Sequence, residues 1–226
     1  RLSSAASDVY KRQSEEKAMS RGKLIVVSGF SGSGKGTLMN EMMKRHDNYA
    51  LSVSATTRKP RPGEVDGVSY FFVTDDEFRR MIDNNELIEY AGYVNHFYGT
   101  PRKYVEENLN AGKDVFLEIE IQGALKVKKQ YPDAVLMFVT PPDAEELRRR
   151  LISRGTETMD VINARLERAI HEAEGVEAYD YIVINDVLED CVETVDKIIK
   201  SEHNRTDERI SLIQAIRRDL KEFQGK

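Results

Sequence analysis

The chain has 226 residues, 40% hydrophobic and 32% charged, with 34 basic against 39 acidic side chains and a formal charge of −5. This is globular composition, enough for one large or two small domains, and the negative balance argues against a protein that coats nucleic acid. A single cysteine, Cys191, excludes a disulfide scaffold, a cysteine metal cluster and a CxxC redox pair, and fits a reducing cytoplasm; the longest apolar runs, 24–27 and 135–139, are far too short to span a membrane.

Residues 1–18 are rich in Ser, Glu and Lys and have no apolar stretch, so they are expected to form a disordered leader outside the fold, with Met19 as the natural start. Residues 24–28, Leu-Ile-Val-Val-Ser, form a β-branched apolar run ending at Gly29 and predict a strand buried on both faces. A helix follows from Lys35, with Leu38, Met39, Met42 and Met43 at one-turn spacing and Lys44 and Arg45 closing it where the helix dipole favours cations. Similar runs at 114–121, 134–139 and 181–185 predict further strands, with helices between them at 123–130 and 143–153. This alternation predicts an α/β fold with a parallel sheet covered by helices on both faces, a three-layer arrangement.

Two segments break the rhythm. Segment 52–101 holds a Pro/Gly-punctuated loop, strand-like pieces at 69–73 and 87–93, and a capping box at Thr74–Glu77, and reads as an inserted subdomain. Segment 154–171 is charged, with Gly155 just after a helical stretch, and reads as a hinged flap. Beyond Asn185 the chain reads as helical to its end, with an apolar stripe of Ile210, Ile213, Ile216, Leu220 and Phe223.

Gly29-Phe30-Ser31-Gly32-Ser33-Gly34-Lys35-Gly36-Thr37 lies between the first strand and the first helix, the context a phosphate-binding loop requires. Its glycines let backbone N–H groups turn inward around phosphate oxygens, the helix N-terminus adds partial positive charge, and Lys35 reaches the β/γ-phosphates. The hydroxyl that should follow the lysine arrives one residue late, at Thr37, because Gly36 intervenes. No Asn-Lys-x-Asp occurs, which argues against a GTP-binding switch; Asn185-Asp186 lacks the lysine.

A second anion site is suggested by Arg58 and Arg61, three apart in a loop stiffened by Pro60 and Pro62, with Tyr70 close behind. Guanidinium forks suit a phosphate monoester, and solvated surface charge is the alternative. Glu118 and Glu120, two apart at the carboxyl end of a predicted strand, are expected on one face where such sheets bind ligands. Arg150 and Arg154 stand one helical turn apart with Arg165 eleven residues later, while Arg148 and Arg149 are expected to face solvent. None of His46, His96, His171 or His203 falls where a chemical task awaits it.

Gly-Lys-Gly-Thr in the glycine loop, the stretch Ser54-Ala-Thr-Thr-Arg58-Lys-Pro-Arg61-Pro-Gly-Glu64, Glu89-Tyr90-Ala91, Tyr98-Gly99-Thr100, Leu117 through Ala124, and Arg154-Gly155-Thr156-Glu157, taken together and in order over residues 23–204, resemble guanylate kinase. The resemblance implies a P-loop nucleoside monophosphate kinase fold with an inserted GMP-binding subdomain and a lid, and an enzyme that transfers phosphate from ATP to GMP with Mg²⁺. It implies a division into core (19–51, 102–144 and 172–205), GMP-binding region (52–101), lid (145–171) and C-terminal helix (206–226). Lys35, Arg150, Arg154 and Arg165 would be catalytic. Gly29, Ser31, Gly32, Ser33, Gly34, Lys35, Gly36, Thr37, Asn185 and Asp186 would bind ATP, the last two beside adenine unless Asp186 is only a helix N-cap. Arg58, Arg61, Tyr70 and Tyr98 would hold the GMP phosphate; Ser54, Glu89, Thr100 and Glu120 complete the GMP site. Thr37 and Glu118 would serve the metal, although the family commonly has aspartates at 118 and 120.

The chemistry fits. Guanine presents N1–H beside a 2-amino group, so a carboxylate at Glu89 accepts two hydrogen bonds that adenine cannot offer. No catalytic base is required, because the acceptor phosphate is largely ionised near neutrality. Two rival readings remain at this point: a monophosphate kinase acting on AMP, and a non-catalytic module of the same fold that binds protein ligands. The expected partners are ATP and GMP, with no nucleic-acid polymer and no membrane, and monomer or homodimer undecided.

Overall fold

The computed structural model describes residues 21–93, 95–153 and 158–224. Five strands form one parallel sheet: β1 (Leu24–Gly29), β2 (Tyr49–Leu51), β7 (Asp114–Glu118), β8 (Val135–Thr140) and β9 (Tyr181–Ile184), in the order β2-β7-β1-β8-β9. The pleat explains why the central strands β1, β7 and β8 read as unbroken apolar runs. On β1, Ile25 and Val27 point to one face and Leu24 and Val26 to the other, and all four are buried. The first face packs against Leu38, Met39 and Met42 of helix α1 (Lys35–Arg45) and against Cys191, Val192, Val195 and Ile199 of α7 (Leu188–Glu202). The second packs against Val105 and Leu109 of α3 (Arg102–Asn110) and Ala124 and Val127 of α4 (Ile121–Gln130). Each such side chain, fully withdrawn from water, contributes about 1.5–3 kcal/mol before entropy is counted. The three layers expected from the sequence are present.

The interrupting segment forms a second sheet, ordered β4-β3-β6-β5, from β3 (Ala55–Thr56), β4 (Phe71–Phe72), β5 (Leu87–Tyr93) and β6 (His96–Pro101). Helix α2 (Asp75–Asp83) begins with the expected capping box: Thr74 accepts from Glu77 N–H and Glu77 reaches back. It brings Phe78 under the sheet, where the ring stacks on Phe97 at 5.5 Å beside Ala55 and Leu87.

Helices α5 (Ala144–Ser153) and α6 (Met159–Ala173) share a third small core of Leu147, Leu151, Ile162 and Ala169, which Leu166 and Phe30 of the glycine loop join. Phe30 in turn meets Phe138 edge-on at 4.9 Å, tying this pair of helices to the main sheet. Helix α8 (Thr206–Gln224) ends the described chain with its apolar stripe exposed. No helix among the described residues is long and apolar enough to cross a membrane.

Three expectations need correction. The strand expected over 114–121 stops at Glu118, and Glu120 is the N-cap residue of α4, so Glu118 and Glu120 do not share a strand face. The N-cap reading of Asp186 fails, because α7 is capped at Val187 with no side-chain bond. The strand expected over 69–73 contracts to Phe71–Phe72, since Tyr70 bridges to Asp66 and Thr74 already caps α2.

Candidate active site

The glycine loop closes around its own backbone. Ser33 N–H donates to the Phe30 carbonyl at 3.0 Å, and Lys35 Nζ donates to the Gly29 and Phe30 carbonyls at 2.7 and 3.1 Å, which holds the ammonium over the loop. Gly34 has φ of +91°, and a Cβ there would lie 2.4 Å from Nδ2 of Asn185, so only glycine fits. Asn185, predicted to lie beside adenine, is buried and donates Nδ2 to the Ser33 carbonyl at 2.8 Å. Helix α1 starts at Gly34 without a side-chain cap and without an acid in its first turn, leaving its first N–H groups to an anion. Gly36 and Thr37 are exposed on that turn, and nothing crowds the Cα of Gly36.

Arginines from the α5–α6 pair reach the same loop. Arg165 Nη1 donates to Ser31 Oγ at 2.9 Å, and Arg150 Nη1 comes within 3.5 Å of the Ser33 carbonyl while its Nε donates to Glu146 at 2.6 Å. Glu146 is pulled down to about 2 by Arg149 first and Arg150 second. Arg148 and Arg149 face solvent as expected, and Arg154 lies outside the described residues. Glu118 stands at the end of β7, opposite Val27 of β1. Desolvation by the neighbouring chain raises its carboxyl and the Lys35 ammonium pulls it back, while the residue stays open to solvent at the sheet end.

The small sheet gathers a different set. Arg58 forks onto Glu64 through Nη1 at 2.9 Å and Nη2 at 2.8 Å, and the same carboxylate accepts the Arg61 N–H at 2.7 Å. This pairing raises the guanidinium and lowers Glu64, with the reciprocal hydrogen bonds as the leading cause in each. The Arg58 guanidinium lies 5.3 Å from the Tyr70 ring centre, and Tyr70 meets Tyr98 edge-on at 6.0 Å. Arg61 extends into solvent, and Ser54 is half-buried on the strand side with its carbonyl accepting from Phe71 N–H.

Glu89 is buried rather than facing water. Thr100 Oγ1 donates to its Oε1 at 2.7 Å, and Gly123 in the first turn of α4 lies so close that a Cβ there would sit 2.9 Å from Oε2. Burial pushes the Glu89 carboxyl up, opposed by the Thr100 bond and Lys126 and reinforced by the nearby charge of Glu120.

Comparison with known proteins bears on this geometry. The guanylate kinase family model matches residues 21–202. The guanylate kinase of Lactococcus lactis is 56% identical over 187 residues, covering 83% of this chain and 91% of that protein; the one from Oceanobacillus iheyensis is 51% identical over 183 residues, covering 81% and 89%. The chain belongs to the guanylate kinase family. A crystal structure of guanylate kinase from Anaplasma phagocytophilum superposes with a TM-score of 0.69 at 36% identity, covering 84% of this chain and 90% of that one, which places the fold in the same family.

Within this family framework, three groups emerge that sequence reading gave no task. Glu64 closes the fork on Arg58; the signal was present as an acid six residues on, beyond a Pro-Arg-Pro-Gly turn. Asp114, buried at the foot of β7, accepts from Lys23 N–H and pairs with His203 at 2.9 Å, fastening the end of α7 to the sheet. Arg168 and Glu172, four apart on α6, form a side-chain pair whose spacing was visible but whose reach across to Glu120 was not.

Proposed function

We propose how this chain performs its family's reaction, transfer of the γ-phosphoryl group of ATP to GMP. ATP phosphates sit against the glycine loop and the start of α1, with Gly29, Ser31, Gly32, Ser33, Gly34, Gly36 and Thr37 lining them and Asn185 and Asp186 toward the adenine. Asn185 acts by holding the Ser33 carbonyl and so the loop. The GMP phosphate takes Arg58, Arg61, Tyr70 and Tyr98, with Glu64 keeping Arg58 extended. Glu89 accepts N1–H and one hydrogen of the 2-amino group, Thr100 orients it, and Ser54 and Glu120 flank the base. The core, GMP-binding region 52–101 and lid 145–171 follow the family's division.

Catalysis here is positioning and charge neutralisation. The phosphate acceptor is already ionised, so no base is needed, and Lys35, Arg150, Arg154 and Arg165 surround the transferring group. Thr37 and Glu118 offer exposed oxygen donors, which suit Mg²⁺, and no cluster of three or more metal-binding side chains is gathered among the described residues. That donor set fits an ion that arrives with phosphate and keeps several waters. When bound, the ion neutralises charge on the phosphates. The single cysteine and the substrates fit work in the cytoplasm.

The buried Glu89 carboxylate carries the choice of guanine over adenine, and with it the preference over the AMP-kinase reading. A coupled assay of ADP formation with ATP and GMP, IMP or AMP tests it. GMP should exceed AMP by about 10⁴- to 10⁵-fold in kcat/KM, because a buried acceptor left unpaired is costly. Equal use of GMP and AMP overturns the base assignment. No turnover with any of them makes the chain a binding module.

A further inference from the structure

Two carboxylates, Glu89 and Glu120, are assigned to the base, and the structure treats them differently. Glu89 is buried and pinned by Thr100, whereas the Glu120 side chain is 58% exposed at the N-cap of α4 and makes no capping bond. An exposed glutamate loses rotamer freedom when it is fixed, so a partner that holds it beforehand lowers the cost of using it. Arg168 of α6 meets that need: its Nη2 donates to Glu120 Oε1 at 2.6 Å, and its Nε donates to Glu172 Oε1 at 3.0 Å, one turn further along the same helix. The guanidinium is thus gripped from both sides and holds one oxygen of Glu120.

The chemistry of guanine says what the other oxygen is for. A carboxylate can take only a donor, and the base edge offers N1–H and the two hydrogens of the 2-amino group. Glu89 takes N1–H and the amino hydrogen next to it. The second amino hydrogen points away and is left for Glu120. We propose that Arg168 is a positioning residue for base recognition, holding Glu120 to accept the outer hydrogen of the guanine 2-amino group. This rests on the assignment of Glu120 to the base. Arg168 stands three residues beyond Arg165, whose Nη1 holds Ser31, so one rigid helix places one arginine on the phosphate loop and the next on the base acid.

The test compares GMP with IMP, which has the same N1–H and lacks the 2-amino group. Arg168→Met keeps the stem and removes the fork. It should raise KM for GMP about three- to tenfold, the worth of an exposed charged pair plus the ordering it saves. KM for IMP, read as substrate or as competitive inhibitor, and KM for ATP should move less than about twofold. Arg168→Lys should recover part of the loss, and Glu172→Gln should shift GMP in the same direction by less; these two carry the comparison if Arg168→Met folds poorly. Equal changes for GMP and IMP would make Arg168 a helix anchor only and overturn the inference, as would an unchanged GMP constant. Glu120→Gln in the same assay separates the two layers. If it narrows the GMP-to-IMP ratio while Arg168→Met does not, the role of Arg168 fails alone; if neither narrows it, the assignment of Glu120 fails as well.

Discussion

The glycine loop is a backbone cradle built within nine consecutive residues, 29–37, whereas the small-sheet site gathers side chains from β5, β6, the loop 57–70, Ser54 just before β3 and Glu120 at the head of α4. The first is a local object: one strand end, one turn, one helix start. The second exists only after β6 has paired with both β3 and β5, which sets Tyr98 beside Thr56 and the Thr100 hydroxyl on Glu89. A backbone cradle tolerates side-chain variation and fails when geometry or charge is removed; a side-chain cradle loses selectivity one group at a time.

The largest effect should come from Lys35→Met. It removes the charge held over the phosphate loop without opening a cavity, and kcat should fall by about 10³-fold or more with the melting temperature nearly unchanged, read by steady-state assay and calorimetry. A mere rise in the KM for ATP would make Lys35 a ground-state contact instead.

Glu89→Gln should flatten the GMP-over-AMP ratio by roughly 10- to 100-fold, the worth of a charged hydrogen bond. The same change should raise the melting temperature at neutral pH. Burial lifts the folded-state pKa of Glu89 above its ordinary 4.5, so between those two values the native state binds more protons, and stability falls as pH rises through the window. A neutral amide escapes that cost, and the stabilisation should shrink in acid, where the glutamate is protonated in both states. In wild type, kcat/KM for GMP should fall with decreasing pH sooner than an ordinary carboxylate would dictate; the mutant should lose that limb.

Glu64→Gln sharpens the contrast from the phosphate side. It keeps the loop's shape but halves the fork on Arg58, and should raise KM for GMP about three- to tenfold with KM for ATP unchanged, by two-substrate kinetics. The smallest effect tests the cradle's tolerance: Gly36 lies in α1 with open space where a Cβ would go, so Gly36→Ala should stabilise by about 0.5 kcal/mol in urea unfolding.

The central strands β1, β7 and β8 of the main sheet were legible in the sequence because they are buried on both faces and leave unbroken apolar runs, and α1 and α2 because their periodicity and capping box are local. Strands β2, β3 and β6 and helices α3 and α6 escaped notice, the last lying in the segment read only as a charged flap. In strand β6, His-Phe-Tyr-Gly-Thr-Pro, Gly99 and Pro101 interrupt the strand preference of Phe97, Tyr98 and Thr100, and neighbours on both sides make it a strand. The same limit misplaced Glu120, since nothing nearby shows that α4 begins one residue later.

By itself, the sequence determined the phosphate loop, the α/β layering and the identity of the charged groups, because glycine pattern, pleat and helical period act over a few residues. Tertiary structure alone decided that Glu89 is buried against Gly123, that Glu64 holds Arg58, that Asn185 braces Ser33 across 152 positions, and that Arg168 on α6 meets Glu120 at the head of α4. Each of these depends on desolvation or on a hydrogen bond between segments distant in the chain, and both are set by packing.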